Sequence, residues 1–338
     1  MSAPQALISF NELNAALKAA GETTRLRVLA LLAEAELTVS DLTEILRQSQ
    51  PRISRHLRLL AEAGLVERFR EGSWAFFRMA ERAGAAEVAR TLLGRLDPAD
   101  PAVARDRERL AAVRAARASA AQAYFRAHAA EWDRIRALHV ADAAVEAAIV
   151  EALGERPFRS LLDLGTGTGR MLELFGPRIE RGLGLDLSLD MLAIARSRLE
   201  RADLRHCSVR QGDIYDLAVA RDSFDVVLIH QVLHFLDDGA RAIAEAARVL
   251  RPGGRLLVVD FAPHDLEFLR EEHAHRRLGF AAETVGQWMS AAGLDLVGHR
   301  TLAPEPGPDG KIAVSLWLAR DSRLLIAEPA ASAAREVA

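Results

Sequence analysis

Two aspartates and three glycines carry the clearest chemistry in this 338-residue chain. Leu161-Leu162-Asp163-Leu164 runs into Gly165-Thr166-Gly167-Thr168-Gly169, and Leu183-Gly184-Leu185-Asp186 places a second acid seventeen residues after Gly169. A hydrophobic run ending in Gly-x-Gly-x-Gly is a buried strand meeting a tight turn. Glycine is needed there because the backbone must bend sharply and lie against a ligand with no Cβ in the way. An acid at the end of the next strand can accept hydrogen bonds from both ribose hydroxyls of an adenosine ligand. The glycine turn alone is a weak signal; the acid at this offset strengthens it.

The elements that must position these groups follow from the pattern around them. Strands alternate with helices from Ser160 to about Leu318, which predicts an α/β sheet. The turn feeds a helix through Arg170 and Leu172, and Ser188-Leu189-Asp190-Met191-Leu192 opens another. A third strand around Ser208–Arg210 ends in Gln211-Gly212-Asp213-Ile214, and Ser223–His230 is a buried fourth strand. Leu250-Arg251-Pro252-Gly253-Gly254 reads as a turn before a fifth strand, Arg255–Phe261. The ligand-type residues fall at carboxyl ends of strands, where such sheets bind ligands.

About 150 residues precede this sheet, and their first part is of a different kind. A helical stripe of Leu26, Val28, Leu29 and Leu32 follows Thr23-Thr24. Thr38, with Asp41 three residues on, caps a short helix bearing Leu42, Ile45 and Leu46. The polar turn Gln48-Ser49-Gln50-Pro51 leads into a further helix through Leu60, with Pro51 suited to its first turn. Two short helices joined this way make a helix-turn-helix whose second helix would enter the major groove. Its outer side would present Gln50, Arg52, Ser54, Arg55, His56 and Arg58, types that contact phosphates and base edges. The alternation around Glu71-Gly72-Ser73 is a β-hairpin wing carrying Arg68 and Arg70. Taken alone, an Arg-bearing amphipathic helix is a solvated face; the order of helix, turn, helix and wing points to DNA.

Composition narrows the classes. The length favours two domains, and half the residues are hydrophobic, enough for ordinary cores. A net charge of −3 requires any DNA contact to come from a local patch. Cys207 is the only cysteine, which excludes a disulfide framework and a cysteine-rich metal cluster. No apolar run approaches the roughly 18 residues of a membrane span, and Met1–Phe10 lacks the basic and apolar regions of a signal peptide. The expectation is a cytoplasmic protein with no membrane partner and no bound metal. His273 and His275, beside Glu271 and Glu272, are two apart and would not share a helical face.

Leu26–Arg78 resembles the ArsR/SmtB family of winged-helix repressors. The resemblance is carried by Thr24-Arg25-Leu26-Arg27-Val28-Leu29, Ile53-Ser54-Arg55-His56-Leu57-Arg58-Leu59-Leu60, Ala63-Gly64-Leu65-Val66 and Glu71-Gly72. It implies a homodimer on twofold-symmetric, double-stranded operator DNA, released by a small effector. The arsenic-type members carry Cys-x-Cys where this chain has Thr38, Val39 and Ser40, so thiolate capture of a soft metal is excluded there.

The second half is similar to class I S-adenosylmethionine-dependent methyltransferases, with five separated motifs in order. The resemblance implies a Rossmann-like seven-stranded sheet with S-adenosylmethionine or S-adenosylhomocysteine as ligand. Gly165, Thr166 and Gly167 would lie under its methionine part, with Gly169 completing the turn. Asp163 would place the ammonium group, and Asp186, followed by Leu187, would hold the ribose. Met191 would pack near the adenine, and Asp213 would accept from its amino group with Ile214 alongside. His230 and Gln231 would face the reacting end, and Tyr124 would close over the cofactor, as aromatics before the first strand do in this class. His230 and His234 are the catalytic candidates, and Asp260, His264, His273 and His275 are further candidates for an acceptor pocket. With Cys207 alone, arsenic is not the expected acceptor; the small-molecule acceptor is open.

The expected organisation is a winged helix over 1–96, a helical linker over 97–130, a methyltransferase domain over 131–320 and a tail over 321–338. The linker contains a long helix over Val103–Ala130, after a helix that starts near Glu81 is broken at Asp97-Pro98-Ala99-Asp100-Pro101. Three functions fit. One is a DNA-binding repressor carrying an active small-molecule methyltransferase. Another is a pure regulator whose methyltransferase fold senses S-adenosylmethionine or S-adenosylhomocysteine, controlling genes of the methionine cycle. The third is an enzyme whose winged helix serves only for dimerisation.

Overall fold

Capping and apolar spacing set the first elements of the computed structural model, which describes residues 7–71, 73–80, 84–129, 132, 142–154, 158–303 and 312–323. Ser9 and Glu12 form a reciprocal capping box at the start of α1 (Phe10–Ala20), and Glu22 caps α2 (Thr23–Leu32). A two-residue strand, β1 (Leu37–Thr38), leads into α3 (Val39–Leu46), whose capping box pairs Thr38 with Asp41. Arg47, at φ 52°, ends α3 in the left-handed region and turns the chain into α4 (Gln50–Glu62), with Pro51 in its first turn. The hairpin of β2 (Val66–Glu71) and β3 (Trp74–Met79) closes at Glu71↔Trp74, and β3 also pairs with β1. Leu29, Leu42, Ile45, Ile53, Leu57 and Leu60 form the centre of the core.

The helix expected from near Glu81 is α5 (Ala85–Leu93); Glu81 itself lies outside the described residues. Beyond the Pro-rich break, α6 runs over Pro101–His128. Arg27 holds α6 against α2 by a bidentate pair with buried Asp106, both bonds at 2.6 Å.

The chain divides into two units, and the division is not sequential. The first comprises Met1–Ala127, His234–Asp238 and Pro263–Gly279; the second comprises His128–Leu233, Gly239–Ala262 and Phe280–Ala338. The stretch expected as a linker over 97–130 therefore belongs to the first unit up to Ala127. So do two short stretches that lie within 131–320 in sequence. A short helix, Phe268–Glu272, forms in the second of them.

In the second unit, α7 (Asp142–Leu153) precedes β4 (Ser160–Leu164), α8 (Arg170–Phe175), β5 (Arg181–Asp186), α9 (Leu189–Arg201) and β6 (Cys207–Gln211). Next come β7 (Phe224–His230), α10 (Gly239–Val249), β8 (Leu250–Phe261), α11 (Ala282–Ala291), β9 (Leu294–Leu302) and β10 (Val314–Asp321). The strands form a Rossmann-like seven-stranded sheet in the order β6-β5-β4-β7-β8-β10-β9. The first five are parallel, and β10 runs antiparallel to both its neighbours. The order reverses between β5 and β7, so the carboxyl end of β4 lies at the switch point where such sheets bind ligands.

One expectation is corrected here. Leu250–Gly254 is not a separate turn ahead of the fifth strand. Leu250 already pairs with Phe224, and the register shifts before Val226↔Arg255, so Arg251–Gly254 bulge out of a continuous β8. Gly253, at φ 75°, supplies the bend. Among the described residues no helix is long and apolar enough to cross a membrane.

Candidate functional site

The glycine turn after β4 is held from both sides. Gly165 and Thr166 donate their backbone N–H groups to the Leu185 carbonyl, at 2.8 and 3.0 Å, which ties the turn to the end of β5. Thr166 also donates its hydroxyl to Asp163, 2.6 Å away, and packs where a Cβ on Gly184 would sit. Gly165, Gly167 and Gly169 all have positive φ, at 71°, 51° and 80°. A Cβ on Gly165 would lie 2.4 Å from Val232, whereas among the described residues one on Gly167 would meet only the Trp132 indole, at 3.7 Å. Among the described residues the turn is therefore closed on the protein side at Gly165 and roomy at Gly167.

Asp186 ends β5 as a bridge. One carboxylate oxygen accepts from the Gly167 N–H at 2.9 Å and the other from the Ser188 N–H at 2.8 Å. Burial pushes its pKa up, against the lowering effect of the N–H groups of Ser188, Gly167 and Leu187. The carboxylate, with about four lone-pair sites in all, retains capacity for a further donor. Ser188 caps α9, which buries Met191, expected beside the adenine, among the core residues. Asp213 is exposed and accepts from the Tyr215 N–H at 2.9 Å through one oxygen, while Ile214 beside it is buried. Leu187 is exposed.

At the end of β7, His230 is half-buried, and Gln231 follows at φ 55° with its N–H on the Val259 carbonyl at 2.7 Å. The Gln231 side chain is buried, and its Nε2 has no hydrogen-bond partner among the described residues. An amide donor left unsatisfied in the interior costs free energy unless something accepts from it. The roomy backbone at Gly167, the lone pairs of Asp186 and this unmatched donor all fit a polar, adenosyl-type ligand.

The expected residues do not all gather in one unit. His234 belongs to the first unit, where its ring lies 4.3 Å from that of His275. Tyr124 also belongs to the first unit, with its hydroxyl 2.6 Å from His273 Nδ1. The aromatic that stands at the glycine turn is Trp132. Among the described residues no group of three or more His, Cys, Asp or Glu is arranged to hold a metal ion.

On the first unit, α4 turns Gln50, Arg52, Ser54, Arg55 and Arg58 outward, and Arg68 and Arg70 are exposed on one face of β2. His56 is a correction. It is buried on the core side with Ile53, Leu57 and Leu60, 3.6 Å from Glu22. Burial lowers its pKa, so a neutral ring packs in the core and takes no part in a DNA face.

The other face of β2 meets a set of charges that sequence patterning did not reveal. Glu71 accepts from Arg277 at 2.6 Å, from Arg270 at 3.1 Å and from the Leu278 N–H. Arg277 also reaches Glu36 at 2.7 Å. Asp41, besides capping α3, pairs with Arg117 and Arg276, and both arginines also bind Asp237, at 3.1 and 3.0 Å. Burial pushes the Arg270 and Arg276 pKa values down, whereas the flanking carboxylates of Glu71 and Glu36 overcome burial at Arg277 and raise it.

Comparison with known proteins agrees with both halves. Residues 22–68 match the bacterial regulatory protein arsR family, and residues 162–258 match the methyltransferase domain family. The chain is 41% identical over 113 residues to an uncharacterized 37.1 kDa protein in transposon Tn4556 of Streptomyces fradiae, covering 32% of each chain. It is 33% identical over 106 residues to the uncharacterized methyltransferase YcgJ of Bacillus subtilis, covering 31% of this chain and 42% of the relative. With demethylmenaquinone methyltransferase of Renibacterium salmoninarum it shares 37% identity over 117 residues, 34% of this chain and 46% of the relative. The matches thus span less than half the length of these relatives. Through these two matched regions, the chain joins an arsR-family helix-turn-helix to a methyltransferase domain.

Proposed function

We propose that this protein is a DNA-binding transcriptional repressor whose second unit binds S-adenosylmethionine and methylates a small molecule. The observation that carries the reading is one chain bearing both the outward arginines of α4 and the Asp186 bridge across the glycine turn. Double-stranded operator DNA is the first partner and a second copy of the chain is another. The exposed Phe10, Leu13 and Leu17 of α1 and Leu92 of α5 support pairing of two copies.

S-adenosylmethionine supplies an electrophilic methyl group on a sulfonium. The chain's task is to hold it in line with an acceptor, which needs no dedicated base. Gly165–Gly167 offer backbone without side chains, Asp186 accepts from the ribose, and Asp213 accepts from the adenine through its remaining oxygen. Gln231 donates from its buried amide, and Asp163, fixed by Thr166, offers a negative charge to the ligand's ammonium group.

On DNA, α4 enters the major groove and Arg55 contacts it directly. Arg55→Ala should weaken binding to the DNA upstream of the protein's own gene by about tenfold, leaving S-adenosylhomocysteine affinity unchanged. Mobility shift and calorimetry on the same preparation check this, and loss of both activities would mean that the two functions are not separable. The sensor reading, in which the second unit only reports ligand to DNA, is favoured by one observation. His234–Asp238 and Pro263–Gly279, which leave the sheet after β7 and β8, fold with the winged helix. Transfer of a labelled methyl group to any small molecule would exclude a sensor without catalysis.

A further inference from the structure

We propose that the wing is held by an ionic clamp, Glu71 with Arg270 and Arg277, which transmits the ligand state of the second unit to the DNA-binding face. The inference rests on the reading that the second unit binds an adenosyl ligand.

Three observations carry it. First, the clamp arginines come from a stretch joined in sequence to the sheet at both ends. Pro263–Gly279 leaves directly after β8 and returns at Phe280, whose N–H bonds the Phe261 carbonyl at 2.9 Å. The other excursion, His234–Asp238, begins three residues after Gln231. The two are joined, because Arg276 and Arg277 both donate their N–H groups to the His234 carbonyl, at 2.8 and 2.9 Å. A ligand that moves the carboxyl ends of β7 or β8 therefore moves both excursions together.

Second, the excursions grip the wing and the helix before the recognition helix. Glu71 is the last residue of β2, and it receives two arginines and a backbone N–H from the excursion. Ser73, across the wing tip, donates its N–H to Glu267 at 2.5 Å. Arg270 lies over the Trp74 ring at 4.7 Å. Asp41 in α3 is held by Arg276. Side chains alternate along β2, so the face carrying Glu71 is gripped while Arg68 and Arg70 stay exposed on the other. A shift of the grip re-aims those two arginines without touching them.

Third, the bonding is ionic where apolar packing would serve stability as well. The side chains of Arg270, Arg277 and Glu71 are only 3%, 10% and 10% exposed. Buried ion pairs repay their desolvation poorly, and their best-attested use is to specify a register or a switch. A clamp of exact partners has discrete arrangements, as a coupling element needs.

The test is hydrogen exchange on the full wild-type chain with and without S-adenosylhomocysteine, with calorimetry on the same sample. Coupling of ordinary strength predicts that peptides spanning 66–79 and 264–279 change their exchange rates by about fivefold or more on binding. Peptides from α1 should not change. Glu71→Gln should bind S-adenosylhomocysteine as tightly as wild type and lose the response in 66–79. Ligand binding with unchanged exchange over 66–79 would overturn the clamp and leave the cofactor reading standing. Absence of binding by calorimetry would overturn both.

Discussion

Gly165→Ala is expected to abolish binding of S-adenosylhomocysteine and to destabilise the second unit by several kcal/mol. Two costs add. A non-glycine residue at φ 71° is strained by about 1–3 kcal/mol. The new methyl would sit 2.4 Å from Val232 Cγ2, and overpacking of that kind costs about 1–3 kcal/mol more. Relief requires the turn to pull away, which breaks the bonds from Gly165 and Thr166 to the Leu185 carbonyl. Urea unfolding, followed through the fully buried Trp317 of β10, would report the stability, and calorimetry the binding. Near wild-type values for both would mean that the turn is not held as described. Val232→Ala, which opens the space, should restore part of the stability lost in the Gly165 variant.

Asp186→Ala should weaken S-adenosylhomocysteine by at least about tenfold and as much as about a hundredfold. The substitution removes the carboxylate proposed to accept from the ribose. It also strands the Gly167 and Ser188 N–H groups, which the carboxylate now satisfies at 2.9 and 2.8 Å. Asp186→Asn keeps one acceptor and should fall between the two. The sign of the pH dependence follows from the buried carboxylate. Its pKa is raised, and only the ionised form accepts at both oxygens, so wild-type affinity is full above that raised pKa and falls as pH drops through it. The asparagine variant should lack this titration. Wild-type affinity in the alanine variant would move the ribose site elsewhere.

Local rules made much of this protein legible. Capping at Thr38–Asp41, Pro51 in the first turn of α4, and the wing alternation are short-range signals, and each produced the element it predicts. The Gly167–Asp186 contact is also local, one strand and one helix apart, and its partners meet through the parallel register of β4 and β5. His56 was readable too. With Ile53, Leu57 and Leu60 it falls at three- and four-residue spacings, the buried stripe of α4, so its apolar company outweighs its polar type. The bulge at Arg251–Gly254 looked like a turn because Pro-Gly-Gly interrupts a strand pattern in either case.

What no local pattern could disclose is the clamp. Arg270, Arg276 and Arg277 resemble any charged surface run until their partners are known, and three of those partners, Glu36, Asp41 and Glu71, come from the other end of the chain. Trp132 is as visible in the sequence as Tyr124, but its place beside the glycine turn, 3.7 Å from where a Cβ on Gly167 would sit, is not, and Tyr124 is engaged by His273.

The distance along the chain between Glu71 and Arg277, 206 residues, has a consequence for synthesis. An N-terminal domain ordinarily completes its fold while the rest is still being made. Here the winged helix emerges with Glu36, Asp41 and Glu71 lacking their arginine partners from Pro263–Gly279. At ribosomal rates those partners arrive about 10–40 s later. Until then Glu71 lacks both its arginines, while Glu36 and Asp41 keep only Arg78 and Arg117, so the charge set that holds the wing is completed only once Pro263–Gly279 has been made.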